Sequence, residues 1–201
     1  MIFMDYEIEK NYNSLDRIEK WDEETRDTIR KRIAEETGDV LSYGFLTERE
    51  GEVLEILADT LIPQEKNKNY VKISEIIDRD LARDMKAIRY GKNPWPREFY
   101  KKGLVDFEKF AKREFGKPIE DFSASQLENL IKRTFSLDAE NFLARFMRRV
   151  LSDATAIYFS HPASWNAIGF PGPAYPEGYP HLGCGEKEDW EPRYEKLKTK
   201  I

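Results

Sequence analysis

At two places along this chain a hydroxyl residue is followed three positions later by Glu or Gln, and then by apolar residues spaced three and four apart. Thr47 and Glu50 precede Val53, Leu54, Leu57, Ala58 and Leu61, and Ser123 and Gln126 precede Leu127, Leu130, Ile131 and Phe135. The pattern is a capping box, in which the hydroxyl and the carboxylate or amide reciprocally satisfy free N–H groups at a helix start. The apolar spacing then places one face of each helix in a core. Pro63 closes the first segment, because a proline disfavours helical geometry at the residue before it. No run of alternating β-branched residues occurs in the sequence, so the chain reads as all-α, a single helical domain of about five to seven helices.

The remaining helices are less sharply signed. The first twenty residues show no period, and Tyr6, Tyr12 and Leu15 are their expected attachment points. Asp22 to Thr37 is densely charged, with Ile29 and Ile33 four apart. It reads as a solvated helix ended by Gly38, with a stripe too narrow to nucleate a core. Ser74 is expected to cap a helix carrying Ile77, Leu81, Met85 and Ile88, with Gly91 just past its end. After the break at Asn93-Pro94-Trp95-Pro96 come Phe99, Leu104, Phe107, Phe110 and Phe115, bounded by Gly116 and Pro118. A last long helix is expected from near Asp138, with Phe142, Phe146, Val150, Ala154 and Tyr158 each four apart. Leu54, Leu57, Leu61, Phe142 and Phe146 are the expected staple of the body.

The character changes after Phe159. Residues 161–185 hold ten of the chain's 21 glycines and prolines, together with Trp165, Phe170, Tyr175 and Tyr179. Prolines at 171, 173, 176 and 180 forbid helix and favour an extended path. A disordered linker is poor in aromatics, so this arm reads as extended but anchored, either on its own helices or on another protein. The expected organisation is an N-terminal segment with one charged helix (1–44), a helical body (45–160) and an extended Pro/Gly/aromatic-rich C-terminal arm (161–201).

Machinery for chemistry is sparse. The sequence has no nucleophile elbow and no phosphate loop with its lysine. Thirty-eight acidic against 33 basic residues give a net charge of −5, which argues against nucleic acid as a partner. Cys184 is the one cysteine and is accompanied by two histidines, which excludes a disulfide framework and a cysteine-rich metal site. His181, Cys184, Glu186 and Asp189 have metal-ligand chemistry, weighed against plain loop residues. Cys184 has a second reading as a cross-chain contact. His161 is expected to bond the last free carbonyls of the long helix. Arg145, Arg148 and Arg149 form a basic patch, solvated or paired within the chain, with an acidic partner as the alternative. Asp59, beside an apolar face, is a helix–helix hydrogen-bonding group or else a buried acid. No residue is assigned a catalytic, cofactor-binding or metal-binding role. No stretch approaches the ~18 apolar residues of a membrane span, and the early acidic N-terminus offers no export signal, so a cytoplasmic location is expected, with membrane association or export through a partner as the alternative.

Phe45-Leu46-Thr47…Glu50…Leu54…Leu57-Ala58-Asp59-Thr60-Leu61-Ile62-Pro63 resembles the opening signature of the gluconate 2-dehydrogenase subunit 3 family. Similar segments follow in order: Ile77-Asp78…Leu81, then Phe99-Tyr100-Lys101-Lys102-Gly103-Leu104, Phe122-Ser123…Leu127 and Phe142…Phe146. The series ends with Tyr158-Phe159-Ser160-His161-Pro162…Trp165…Ile168-Gly169-Phe170-Pro171-Gly172-Pro173, which resembles the family's closing motif. The resemblance implies a small, non-catalytic subunit with no cofactor of its own. Its implied partner is a large FAD-dependent dehydrogenase subunit of the glucose–methanol–choline type, joined in many complexes by a haem-containing electron-transfer subunit. Trp165, Phe170, Pro171, Pro173, Tyr175 and Cys184 are the expected partner-facing or arm-anchoring residues. The alternatives are a stand-alone helical protein with its own ligand site and an adaptor that uses the proline-rich arm for recognition.

Overall fold

The computed structural model describes residues 6–8, 12–38, 42–66, 69–83, 96–174, 178, 188, 190–192 and 194–196. Among them are seven α-helices: α1 (Glu23–Glu36), α2 (Glu48–Leu61), α3 (Ile73–Ala82), α4 (Pro96–Phe115), α5 (Ala124–Phe135), α6 (Phe142–Ser160) and α7 (Trp165–Ile168). Tight 3-10 turns occupy Ser14–Lys20, Ile119–Asp121 and Pro162–Ser164. The fold class is all-α, as the periodicity predicts. Its strands among the described residues form one antiparallel pair, β1 (Tyr6–Ile8) with β2 (Tyr194–Lys196), in the register Tyr6–Lys196. The alternation rule misses such strands because three residues are too few to show a period.

The chain forms two compact units, residues 38–158 and the paired terminal segments 1–37 and 159–201. In the first, α2 packs against α3, α4 and α5. Both capping boxes form: Thr47 and Ser123 accept from the N–H groups of Glu50 and Gln126, whose side chains accept from the N–H groups of the caps. The α2 face of Val53, Leu54, Leu57 and Ala58 is fully buried. Leu61, expected in the staple, is only partly buried at the helix end. Helix α4 meets α6 through aromatic rings, with Phe99–Phe142 centroids 5.1 Å apart and Tyr100–Phe146 5.8 Å. Gly103 permits that approach, because a Cβ there would stand 2.1 Å from the Phe146 ring.

Several expected boundaries move for local reasons. Helix α6 begins at Phe142 rather than near Asp138, because Asn141 accepts from the N–H groups of Leu143 and Ala144. Asp138 instead closes the preceding turn onto the Glu140 N–H at 2.8 Å. Helix α3 starts at Ile73, one residue before the expected cap, and has no side-chain cap. Ser74 is buried inside it, its hydroxyl 3.1 Å from that of Tyr43. The expected continuation through Met85, Ile88 and Gly91 lies outside the described residues. Asp78, also on α3 and buried, accepts from the N–H groups of Gly44, Phe45 and Leu46, the closest at 2.6 Å. Three charge-assisted bonds to one carboxylate fix the entry into α2.

Candidate partner interface

The closing segment is built around two indoles. Trp165 opens α7, and Trp21 follows the turn Ser14–Lys20. Their rings meet edge to face, with centroids 6.1 Å apart at 90°, a geometry that matches the ring quadrupoles. Leu15, Ile18, Ile29, Ile33 and Ile168 pack around them. The α1 stripe therefore does enter a small core. Two isoleucines suffice there because each indole supplies a large apolar area. Trp21 Nε1 donates to the Pro173 carbonyl at 2.8 Å, so the indole also holds the arm. Gly172 has φ of +84°, and a Cβ there would lie 2.6 Å from the Trp21 ring. Asn166 fastens the N-terminal turn, its Oδ1 accepting from Ser14 N and Oγ, each at 2.8 Å.

Of the six residues expected to face a partner or anchor the arm, Trp165 is 6% exposed and serves as an anchor within its own unit. Phe170 packs on Trp165 at 5.2 Å yet remains 40% exposed. Pro171 and Pro173 are partly buried. Tyr175 and Cys184 lie outside the described residues, as do His181, Glu186 and Asp189 of the weighed metal set. The arm is not extended from residue 161 onward: Pro162–Ser164 and Trp165–Ile168 coil before residues 170–174 run without regular structure. Proline at the first helical position is compatible with such a turn, since its missing N–H has no partner to lose there. Trp21 is only weakly marked in the sequence. Its signal was a lone indole directly before the Asp22 cap in an otherwise polar stretch.

His161 is fully buried and caps the next turn instead of bonding the last carbonyls of α6. Its Nδ1 accepts from the Ala163 N–H at 3.1 Å, and its Nε2 faces Glu36 Oε2 at 3.4 Å. The Ser160 carbonyl is taken by Arg32, whose Nε also bonds Glu36 at 3.2 Å. Burial, and then the Arg32 charge, hold the imidazole down to about 4.

In residues 38–158 the other singled-out groups have partners within the chain, although Arg145 Nε is buried without a hydrogen bond. Arg149 Nε and the Tyr100 hydroxyl both donate to Asp153 Oδ2, at 2.6 and 2.7 Å. Burial, followed by the Asp153 charge, pushes the Tyr100 phenol well up. Arg145 lies 3.8 Å from Glu140, and Arg148 reaches the Ala139 carbonyl at 3.4 Å. Asp59 accepts from the Tyr70 hydroxyl at 2.7 Å and pairs with Lys66 at 3.2 Å. Among the described residues no group of three or more His, Cys, Asp or Glu is gathered to hold a metal ion. No helix among them is long and apolar enough to cross a membrane.

Comparison with known proteins gives one family. The sequence profile described as gluconate 2-dehydrogenase subunit 3 matches residues 48–172. No curated protein and no solved structure gives a match. The matched stretch covers well over half of the chain, from the first turn of α2 to the glycine on which Trp21 lies, and the chain accordingly belongs to the gluconate 2-dehydrogenase subunit 3 family.

Proposed function

We propose that this chain is an accessory subunit that binds and stabilises an FAD-dependent dehydrogenase of the glucose–methanol–choline type, one that oxidises a sugar or a sugar acid such as gluconate. The family match across residues 48–172 carries the reading. In it the flavin belongs to the large subunit, a haem subunit accepts the electrons, and the small chain contributes surface and supports maturation. Its location follows that of the flavoprotein. Phe170 suits the role of contact residue, because it is a large exposed aromatic mounted on a buried indole pair. Rigid aromatics lose little conformational freedom on binding and are frequent hot spots. An obligate interface of this kind buries more than roughly 2,000 Å² in total.

The test is co-expression with a glucose–methanol–choline-type flavoprotein from the same genome, followed by affinity capture. A stoichiometric yellow complex is expected. Phe170→Ala is expected to weaken it about tenfold, equivalent to about 1.4 kcal/mol, while the free variant keeps the wild-type circular dichroism spectrum. Undiminished capture by that variant removes Phe170 from the interface. Failure of the wild-type chain to retain the flavoprotein overturns the reading, as does a purified single chain that carries flavin or oxidises a sugar acid unaided.

A further inference from the structure

We infer that His161 is a proton-operated latch on the turn that carries Trp165: the neutral imidazole closes the turn, and protonation opens it. The geometry fixes which proton matters. Because Nδ1 accepts the Ala163 N–H, it must carry a lone pair, so the single proton of the neutral ring sits on Nε2, towards Glu36. A second proton has only Nδ1 to occupy. There it turns an acceptor into a donor facing another donor, and the cap of the Pro162–Ser164 turn is lost.

The Glu36 carboxylate and the Arg32 backbone give the added charge some relief, but burial and the Arg32 charge outweigh it. From α1, Arg32 and Glu36 face the ring, and the guanidinium already bonds that one carboxylate. The Ser160 carbonyl is occupied by the same arginine. Neither the turn nor α7 carries a titratable side chain. Protonation would therefore place two cations against one buried carboxylate, with His161 wholly out of contact with solvent. The folded imidazole titrates near 4, below its ordinary 6.5. The closed turn thus has its full stabilisation above about pH 6.5 and loses it as pH falls towards 4. Opening withdraws Trp165 from Trp21, together with the Phe170 that packs on it.

The experiment follows hydrogen exchange of the 161–173 backbone in the full chain, corrected for intrinsic rates. Between pH 7 and pH 4.5 the opening equilibrium is expected to rise roughly fifty- to a hundredfold. His161→Asn keeps an acceptor at the cap position and has no proton to gain, so its rise should stay under about fivefold. A variant that responds like wild type overturns the latch. A second measurement needs no variant of the latch itself: the His161 ring signals are followed by NMR in the wild-type chain, with His181→Gln used only for assignment. Titration well below 6.5 supports the proposal, and a midpoint at or above 6.5 overturns it.

Discussion

Residues 38–158 and the paired terminal segments are held by different chemistry. In the former, α2, α4 and α6 bury contiguous faces of Leu, Val and Phe, and the aromatic contacts join helices presenting several apolar residues each. Burial spread over so many side chains leaves each boundary tolerant of local change. In the latter, two indoles and five aliphatic residues form the cluster, and a few hydrogen bonds span great lengths of chain. Trp21 holds Pro173, and Asn166 holds Ser14, each across 152 positions. Closing such loops costs more chain entropy than closing helix–helix neighbours. The terminal unit therefore depends on a few specific bonds, and the helical unit on area.

That contrast breaks first at Phe146. It is fully buried, meets Phe99 and Tyr100, and fills the space left by the missing side chain of Gly103. Phe146→Ala is expected to cost about 4 kcal/mol, the sum of lost burial and a residual cavity. Urea unfolding followed by helical circular dichroism measures it. A loss below about 1 kcal/mol would mean that the α4–α6 packing relaxes freely, and the area argument would fail.

The same contrast explains what could be read ahead of the structure. Helix starts at Thr47 and Ser123 were legible because the capping residues and the apolar face lie within one local window. The start of α6 was not, because Asp138 and Asn141 are both competent caps and only the geometry of the turn at 138–141 chooses between them. The Trp21–Trp165 pairing was out of reach for a different reason. Nothing local to either residue marks the other, and the bond that seals the contact uses a backbone carbonyl, which every residue possesses. His161 is legible as a structural histidine, but its partner is the Ala163 N–H rather than a carbonyl of α6. The carbonyl it was expected to bond is captured by Arg32, from a helix 128 residues away in sequence. Of the expected contact residues, Phe170 carries both an arm-anchoring contact and exposed area, a combination that residue type alone does not specify.

Gly172→Ala sharpens the comparison in the terminal unit. Its positive φ disfavours any side chain, and the new methyl would collide with the Trp21 ring. Backbone strain and overpacking together are expected to cost about 3 kcal/mol. The indicator is tryptophan fluorescence and its quenching by acrylamide, with the helical signal largely retained. If the helical midpoint drops as far as with Phe146→Ala, the difference in chemistry between the two units has no counterpart in their stability.

The smallest effect is expected where the ion pairs look richest. Arg49 on α2 reaches Glu108 at 2.5 Å, Glu120 at 2.8 Å and Glu52 at 3.3 Å, and the hydrogen bonds to Glu120 and Glu108 hold its guanidinium well above the ordinary arginine range. Yet the arginine and all three carboxylates stand more than a third exposed, so water screens each pair and the long side chains lose freedom to make them. Arg49→Gln is therefore expected to cost less than about 1 kcal/mol, and the difference from wild type should fade in 1 M salt, where the screening length is about 3 Å. A loss of several kcal/mol that persisted in salt would show that specific charge pairing, rather than buried area, holds α2 to its neighbours, and would place the helical unit in the same class as the terminal one.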